Sequence, residues 1–139
     1  MNRYDAREYA LSLLFASDFH PQTPYDQLYE DMTQDEILQA DAYIADVASH
    51  YAEYASRIDE LIGKYMKPGW TLERISGVSR AVIRLALYEI LAVDSLPAAV
   101  SVNEAVELAK KYDGEEAPAF VNGILGSILR SEELAKEQE

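Results

Sequence analysis

Arg80-Ala81-Val82-Ile83-Arg84-Leu85-Ala86-Leu87-Tyr88-Glu89-Ile90-Leu91-Ala92 is the stretch that decides the fold. Leu85, Ala86, Tyr88 and Ile90 leave almost no polar face near its end, which is the pattern of a helix covered on all sides at the centre of a helical domain. Thr71 reads as the N-cap of this segment, which runs to about Val93. Gly77 divides it into a short first piece and a longer second one, and Leu96-Pro97 closes it. Arg84, set among apolar neighbours, is expected to pair internally with a carboxylate such as Glu89 or Glu104.

A central helix needs helical neighbours, and the periodicity on both sides supplies them. Toward the N-terminus, residues 5–17 place Ala6, Tyr9, Ala10, Leu13, Leu14 and Ser17 on one broad face. His20-Pro21 and Thr23-Pro24 interrupt it, and a short amphipathic stretch follows from Tyr25 to about Met32. Thr33 and Glu36 form a capping-box pattern. Beyond it Ile37, Ala40, Ile44, Val47, Tyr51, Tyr54, Ile58, Leu61 and Tyr65 recur at spacings of three and four, which predicts a helix of about 45 Å at ~1.5 Å per residue, ended by Pro68-Gly69. Toward the C-terminus, Ser101 and Glu104 form a second capping box for a helix ending near Tyr112, with Gly114 as its stop. Pro118 suits the first turn of a last helix carrying Phe120, Val121, Ile124, Leu125, Ile128 and Leu129. The expectation is an all-α fold, one compact bundle of six or seven helices over residues 1–131, followed by a polar, frayed tail over 132–139.

Composition limits the function classes. The chain has 139 residues, 49% of them hydrophobic and 27% charged, which is too apolar for a disordered chain and enough for one good core. No apolar run approaches the length of a membrane span. The absence of cysteine removes disulfides, thiolate zinc sites and cysteine nucleophiles, and fits a cytoplasmic location. The net charge of −13 argues against indiscriminate binding to phosphates. That charge is uneven, however. Residues 23–62 hold one basic and ten acidic side chains, whereas residues 63–112 hold seven basic and five acidic. A small positive site is therefore still permitted.

Catalytic chemistry is missing from the pattern. His20 and His50 lie in different elements without metal-ligand spacing, so no metal site is expected. No nucleophile elbow or phosphate loop occurs, and Gly77, Gly123 and Gly126 fit helix packing. The abundant carboxylates read as a solvated face, so the chain is not expected to be an enzyme. The remaining chemistry is cationic. Arg3 and Arg7 are one turn apart and can grip adjacent phosphates; pairing of Arg7 with Asp5, Glu8 or another carboxylate is the competing reading. Lys64 and Lys67, with Arg74 beyond the Pro68-Gly69 turn, form a second basic cluster. Lys110-Lys111 end a helix, where cations favour the dipole.

Five blocks carry a resemblance to a known family. They are Asp5-Ala6-Arg7-Glu8-Tyr9-Ala10-Leu11, Trp70-Thr71-Leu72-Glu73-Arg74-Ile75, the run Arg80–Ile90, Val102-Asn103-Glu104-Ala105-Val106-Glu107-Leu108-Ala109-Lys110, and Phe120-Val121-Asn122-Gly123-Ile124-Leu125. In content and order they resemble the NusB family of transcription antitermination factors, over nearly the whole chain. The resemblance implies a bacterial, all-helical RNA-binding protein without cofactor. It implies pairing with the small-subunit ribosomal protein NusE, binding of boxA-type single-stranded RNA, and indirect association with other Nus factors and RNA polymerase on ribosomal RNA operons.

Carried onto this sequence, the family's arginine-rich RNA surface maps to Arg3 and Arg7, with Lys67 and Arg74 as an extension. Its ribosomal-protein surface maps to Glu116 and Phe120, beside the acidic loop Asp113-Gly114-Glu115-Glu116. Tyr4 is either a stacking partner for a base or a residue packed at the helix start. With little positive charge in reserve, the chain is expected to need its protein partner to hold RNA. The alternative reading keeps the fold and makes the chain a protein-interaction module that has lost most RNA affinity. A homodimer that masks the RNA surface is compatible with the first reading. RNA methyltransferases with a similar N-terminal domain need a catalytic domain for which too few residues follow Leu129.

Overall fold

The computed structural model describes residues 1–134. Among the described residues there are six α-helices, one short 3-10 helix and no strand. The helices are α1 (Arg3–Ser17), α2 (Tyr25–Gln34), α3 (Ala42–Lys64), α4 (Gly77–Ala92), α5 (Ala98–Asp113) and α6 (Ala117–Ser131), with the 3-10 helix at Leu72–Arg74. The all-α expectation holds. None of these helices is long and apolar enough to cross a membrane. The chain falls into two compact units, Met1–Glu53 and Tyr54–Glu139, with the division inside α3.

In the first unit α1 packs on α2. Ala6, Leu13, Leu28, Met32, Leu38, Ile44 and Ala48 form a common apolar cluster, edged by Tyr9, Ala16, Tyr29 and Tyr43. Tyr25 and Tyr51 meet edge-to-face at 5.0 Å, a favoured aromatic geometry. The long helix expected from residue 37 onward is shorter than its pattern. Thr33 lies within α2, where its hydroxyl donates to the Tyr29 carbonyl at 2.7 Å instead of capping a new helix. Glu36 then takes a left-handed conformation at φ 62°, and Ile37 is 57% exposed. The true cap is Asp41, whose carboxylate accepts from the amides of Tyr43 (2.9 Å) and Ile44 (3.4 Å). Helix α3 therefore has 23 residues, about 34 Å at ~1.5 Å per residue.

In the second unit α5 packs on α4 and α6, and α4 also touches α6. Ser79, Ala81, Val82, Ile83, Leu85, Ala86, Leu87, Tyr88, Glu89 and Ile90 of α4 are all buried. The segment expected to start at Thr71 is divided where Gly77 stands: Thr71 precedes the 3-10 turn, and Ser76 caps α4 by accepting from the Ser79 amide at 3.1 Å. Helix α5 begins at Ala98, so the Ser101–Glu104 pattern is not a cap. Ser101 is buried and donates its hydroxyl to buried Glu89 at 2.8 Å, tying α5 to α4. Pro118 occupies the first turn of α6, as expected.

The first residues of the expected tail are held. Glu132 accepts from the Lys64 ammonium at 2.8 Å and from the Tyr65 hydroxyl, joining the end of α6 to the end of α3. Residues 135–139 of the expected frayed tail lie outside the described residues.

Two outcomes follow from these contacts. Ser101→Ala removes a buried donor from Glu89 and is expected to cost about 1–3 kcal/mol, read by chemical denaturation. The Lys64 hydrogen bond, then that of Tyr65, holds the Glu132 carboxyl below the usual carboxylate range. Its contribution is therefore present above the ordinary carboxylate pKa and fades as pH falls through the lowered value. The stability difference between the native chain and Glu132→Gln should shrink in acid. A difference that stays constant with pH would show that the bridge adds no pH-linked stability.

Candidate nucleic-acid and partner interfaces

Asn2 caps α1, accepting from the Asp5 amide at 2.8 Å through its side-chain oxygen, and this places Arg3 in the first helical turn. Arg3 is exposed, with its guanidinium 4.5 Å from the Tyr43 ring centroid. Arg7 sits one turn further along but is only 5% exposed, between buried Ala6 and Ala10. The two arginines are thus not presented side by side. Arg3 stands at the surface, and Arg7 is enclosed among the residues around α1. Tyr4 is 43% exposed.

The second basic cluster is built by a turn. Pro68 and Gly69 take the central positions, Gly69 has φ 86°, and the Trp70 amide donates to the Lys67 carbonyl at 3.0 Å. Proline first and a positive-φ glycine second is the chemistry of a type II turn. Arg74 folds back over this turn. Its guanidinium lies 5.4 Å from the Trp70 ring centroid and donates to the Gly69 carbonyl at 3.1 Å. Arg80 fastens the same segment from below, donating to the carbonyls of Leu72 (2.8 Å) and Ile75 (3.0 Å). Lys67 and Arg74 are therefore both at the surface and brought to one loop, with Trp70 53% exposed between them in sequence.

Other cations are engaged internally. Arg84 pairs with Asp59 of α3 through two bonds, Nε to Oδ1 at 2.9 Å and Nη2 to Oδ2 at 3.0 Å. This bidentate partner is an acid that the sequence spacing did not offer. The acids expected for it stand on α4 itself (Glu89) and on α5 (Glu104), whereas the bidentate partner comes from α3. Lys64 is held by Glu132, and this bond raises its pKa.

Glu116 and Phe120 lie one turn apart at the start of α6. The helix turns Ala117, Val121, Ile124, Leu125 and Ile128 inward, leaving Glu116 exposed and Phe120 42% exposed. Gly114, at φ 90°, makes the break between α5 and α6. The acidic loop before them is less acidic outward than its sequence. Asp113 accepts from the hydroxyls of Ser76 and Ser79, so Glu115 and Glu116 are its outward charges. No group of three or more histidine or acidic side chains among the described residues is arranged to hold a metal ion.

The NusB family model matches residues 4–130. A transcription antitermination protein NusB from Acetivibrio thermocellus is 40% identical over 131 residues, covering 94% of this chain and 90% of its own length. The solved structure of T. maritima NusB superposes with a TM-score of 0.79 at 36% identity, covering 94% of this chain and 92% of its own. A structure of the antitermination factors NusB and NusE in complex with dsRNA superposes with a TM-score of 0.78 at 25% identity, covering 94% and 99%. With a family match over nearly the full length and relatives at this identity, the chain belongs to the NusB family.

Proposed function

We propose that this chain is a transcription antitermination factor that binds boxA-type RNA together with ribosomal protein NusE, promoting readthrough by RNA polymerase on ribosomal RNA operons. It acts by binding, without catalysis and without a cofactor. The observation that carries this reading is the likeness, along almost the entire chain, to a NusB solved with NusE and RNA. Residues 1–131 supply the binding unit, a reading supported by the family match over residues 4–130.

Within it Arg3, Lys67 and Arg74, all exposed, are the cations that meet phosphate. Arg7 acts by holding the start of α1 rather than by contacting RNA, because its guanidinium is enclosed. Glu116 and Phe120 form the NusE-facing surface. Phe120 supplies a large apolar anchor, and Glu116 supplies a charge complementary to a basic ribosomal protein. Cations this few cannot drive strong phosphate binding unaided, so the partner completes the RNA site.

The enclosure of Arg7 is also the observation that favours a second reading, in which the same fold is a protein-interaction module with little RNA affinity. Binding of labelled boxA RNA separates the two. Affinity and salt sensitivity should both rise when NusE is added, and should exceed those for a scrambled RNA. Equal binding of the two RNAs by the pair leaves only the second reading.

Arg3→Ala is expected to weaken RNA binding and to flatten the salt dependence by about 0.7 log units per log unit of salt for one lost single-strand phosphate contact. Arg7→Ala should instead lower the melting temperature. Phe120→Ala, at an exposed position, should leave the fold intact and weaken the complex with NusE by about 1–3 kcal/mol, read by calorimetry. An unchanged affinity would remove Phe120 from that surface.

A further inference from the structure

Trp70 is a large apolar residue left 53% exposed, on a loop that does not need it. The turn closes through the Trp70 amide and the Lys67 carbonyl, and the following 3-10 segment is fastened by Arg80 to the carbonyls of Leu72 and Ile75. None of these bonds uses the indole ring. The ring meets Arg74, whose guanidinium lies 5.4 Å from the ring centroid and is itself anchored on the Gly69 carbonyl. The ring is therefore held in place by a cation while much of its surface faces water.

We propose that Trp70 is a base-stacking platform for single-stranded RNA, with Arg74 and Lys67 holding the phosphates on either side. The proposal rests on the RNA-binding reading above and adds to it the residue that takes a base. An indole offers a sequence-tolerant π-face, and an arginine beside it contributes cation–π attraction to the stack. Only one of the five guanidinium donors of Arg74 is needed for Gly69, so others serve a phosphate oxygen. Lys67, three residues before Trp70 in the turn, adds a second exposed cation. Within residues 65–75 the single acid is Glu73, exposed, its carboxyl held below the usual carboxylate range by its own amide and then by Thr71. In a chain of net charge −13, an exposed aromatic flanked by two cations fits a nucleic acid better than a basic protein.

Trp70 is the only tryptophan in the chain, so the unaltered protein reports on its own site. Indole fluorescence, excited selectively over the ten tyrosines, is followed while a single-stranded boxA-type oligonucleotide is titrated into the full chain with NusE. Anisotropy of the same end-labelled RNA is recorded in parallel, and a matched oligonucleotide with abasic positions serves as the phosphate-only probe. Quenching should saturate together with anisotropy for the intact RNA and be absent for the abasic one. Trp70→Ala should lose about tenfold in affinity, and Trp70→Phe, which keeps a stacking face, should lose less.

Binding seen by anisotropy with an unquenched indole, and equal in Trp70→Ala, overturns the stacking role while leaving the RNA function standing. An indole signal produced by NusE alone also overturns it, since the ring would then be covered by protein. No RNA binding in any arm removes the proposal and the RNA reading together. Should Trp70→Ala lose its helical circular dichroism, the fluorescence of the unaltered chain decides.

Discussion

Helix α4 has almost no side that can face water, and the second unit is arranged to cover it. Ten of its residues between Ser79 and Ile90 are buried, and α5 and α6 both lie against it. Each enclosed Leu or Ile contributes roughly 1.5–3 kcal/mol of burial. One carboxyl is enclosed with them, that of Glu89, and a buried carboxyl is tolerable only if it finds donors. The Ser101 hydroxyl is one, and meeting it fixes how α5 lies along α4. The same need positions the exposed ends. Asp113, at the end of α5, takes the hydroxyls of Ser76 and Ser79 at the start of α4. The Gly114 break that follows sends α6 off with Glu116 and Phe120 outward.

Charge in this protein divides between groups consumed by the fold and groups left at the surface. Arg84 is consumed by Asp59, Lys64 by Glu132 and Arg80 by backbone carbonyls, each through bonds that brace a helix end or a helix pair. Arg7 is enclosed along α1. Arg3, Lys67 and Arg74 stay at the surface. This partition makes a chain with 25 acidic residues compatible with RNA: the local potential at a loop is set by its nearest charges, and salt screens the remainder within about 10 Å.

How much was legible varies with the range of the interaction. The fold class followed from periodicity, and the stops at Pro68-Gly69, Leu96-Pro97 and Gly114 followed from backbone chemistry that acts within a few residues. Both capping boxes failed because Thr-x-x-Glu and Ser-x-x-Glu are equally compatible with a helix interior. Thr33 satisfies its hydroxyl on the preceding turn, and Ser101 satisfies its own on another helix. Asp41, the working cap, was hidden because the apolar spacing runs through it without interruption. Of the proposed site, the acid–aromatic pair at Glu116 and Phe120 and the loop cations Lys67 and Arg74 were readable as positions. That Arg7 is enclosed, and that Trp70 is exposed and braced by Arg74, was not.

The amino-acid sequence by itself determined the helical class, the places where helices must stop, the lack of thiol chemistry and the family to which the chain belongs. These depend on side-chain type and on spacing along one chain, which local sterics and burial translate directly into structure. Only the tertiary structure decided which cations remain open. A guanidinium's partner is chosen by distance in space, and Arg84 meets Asp59 across 25 positions of sequence. The surface of this protein is what remains after those long-range pairings have been made.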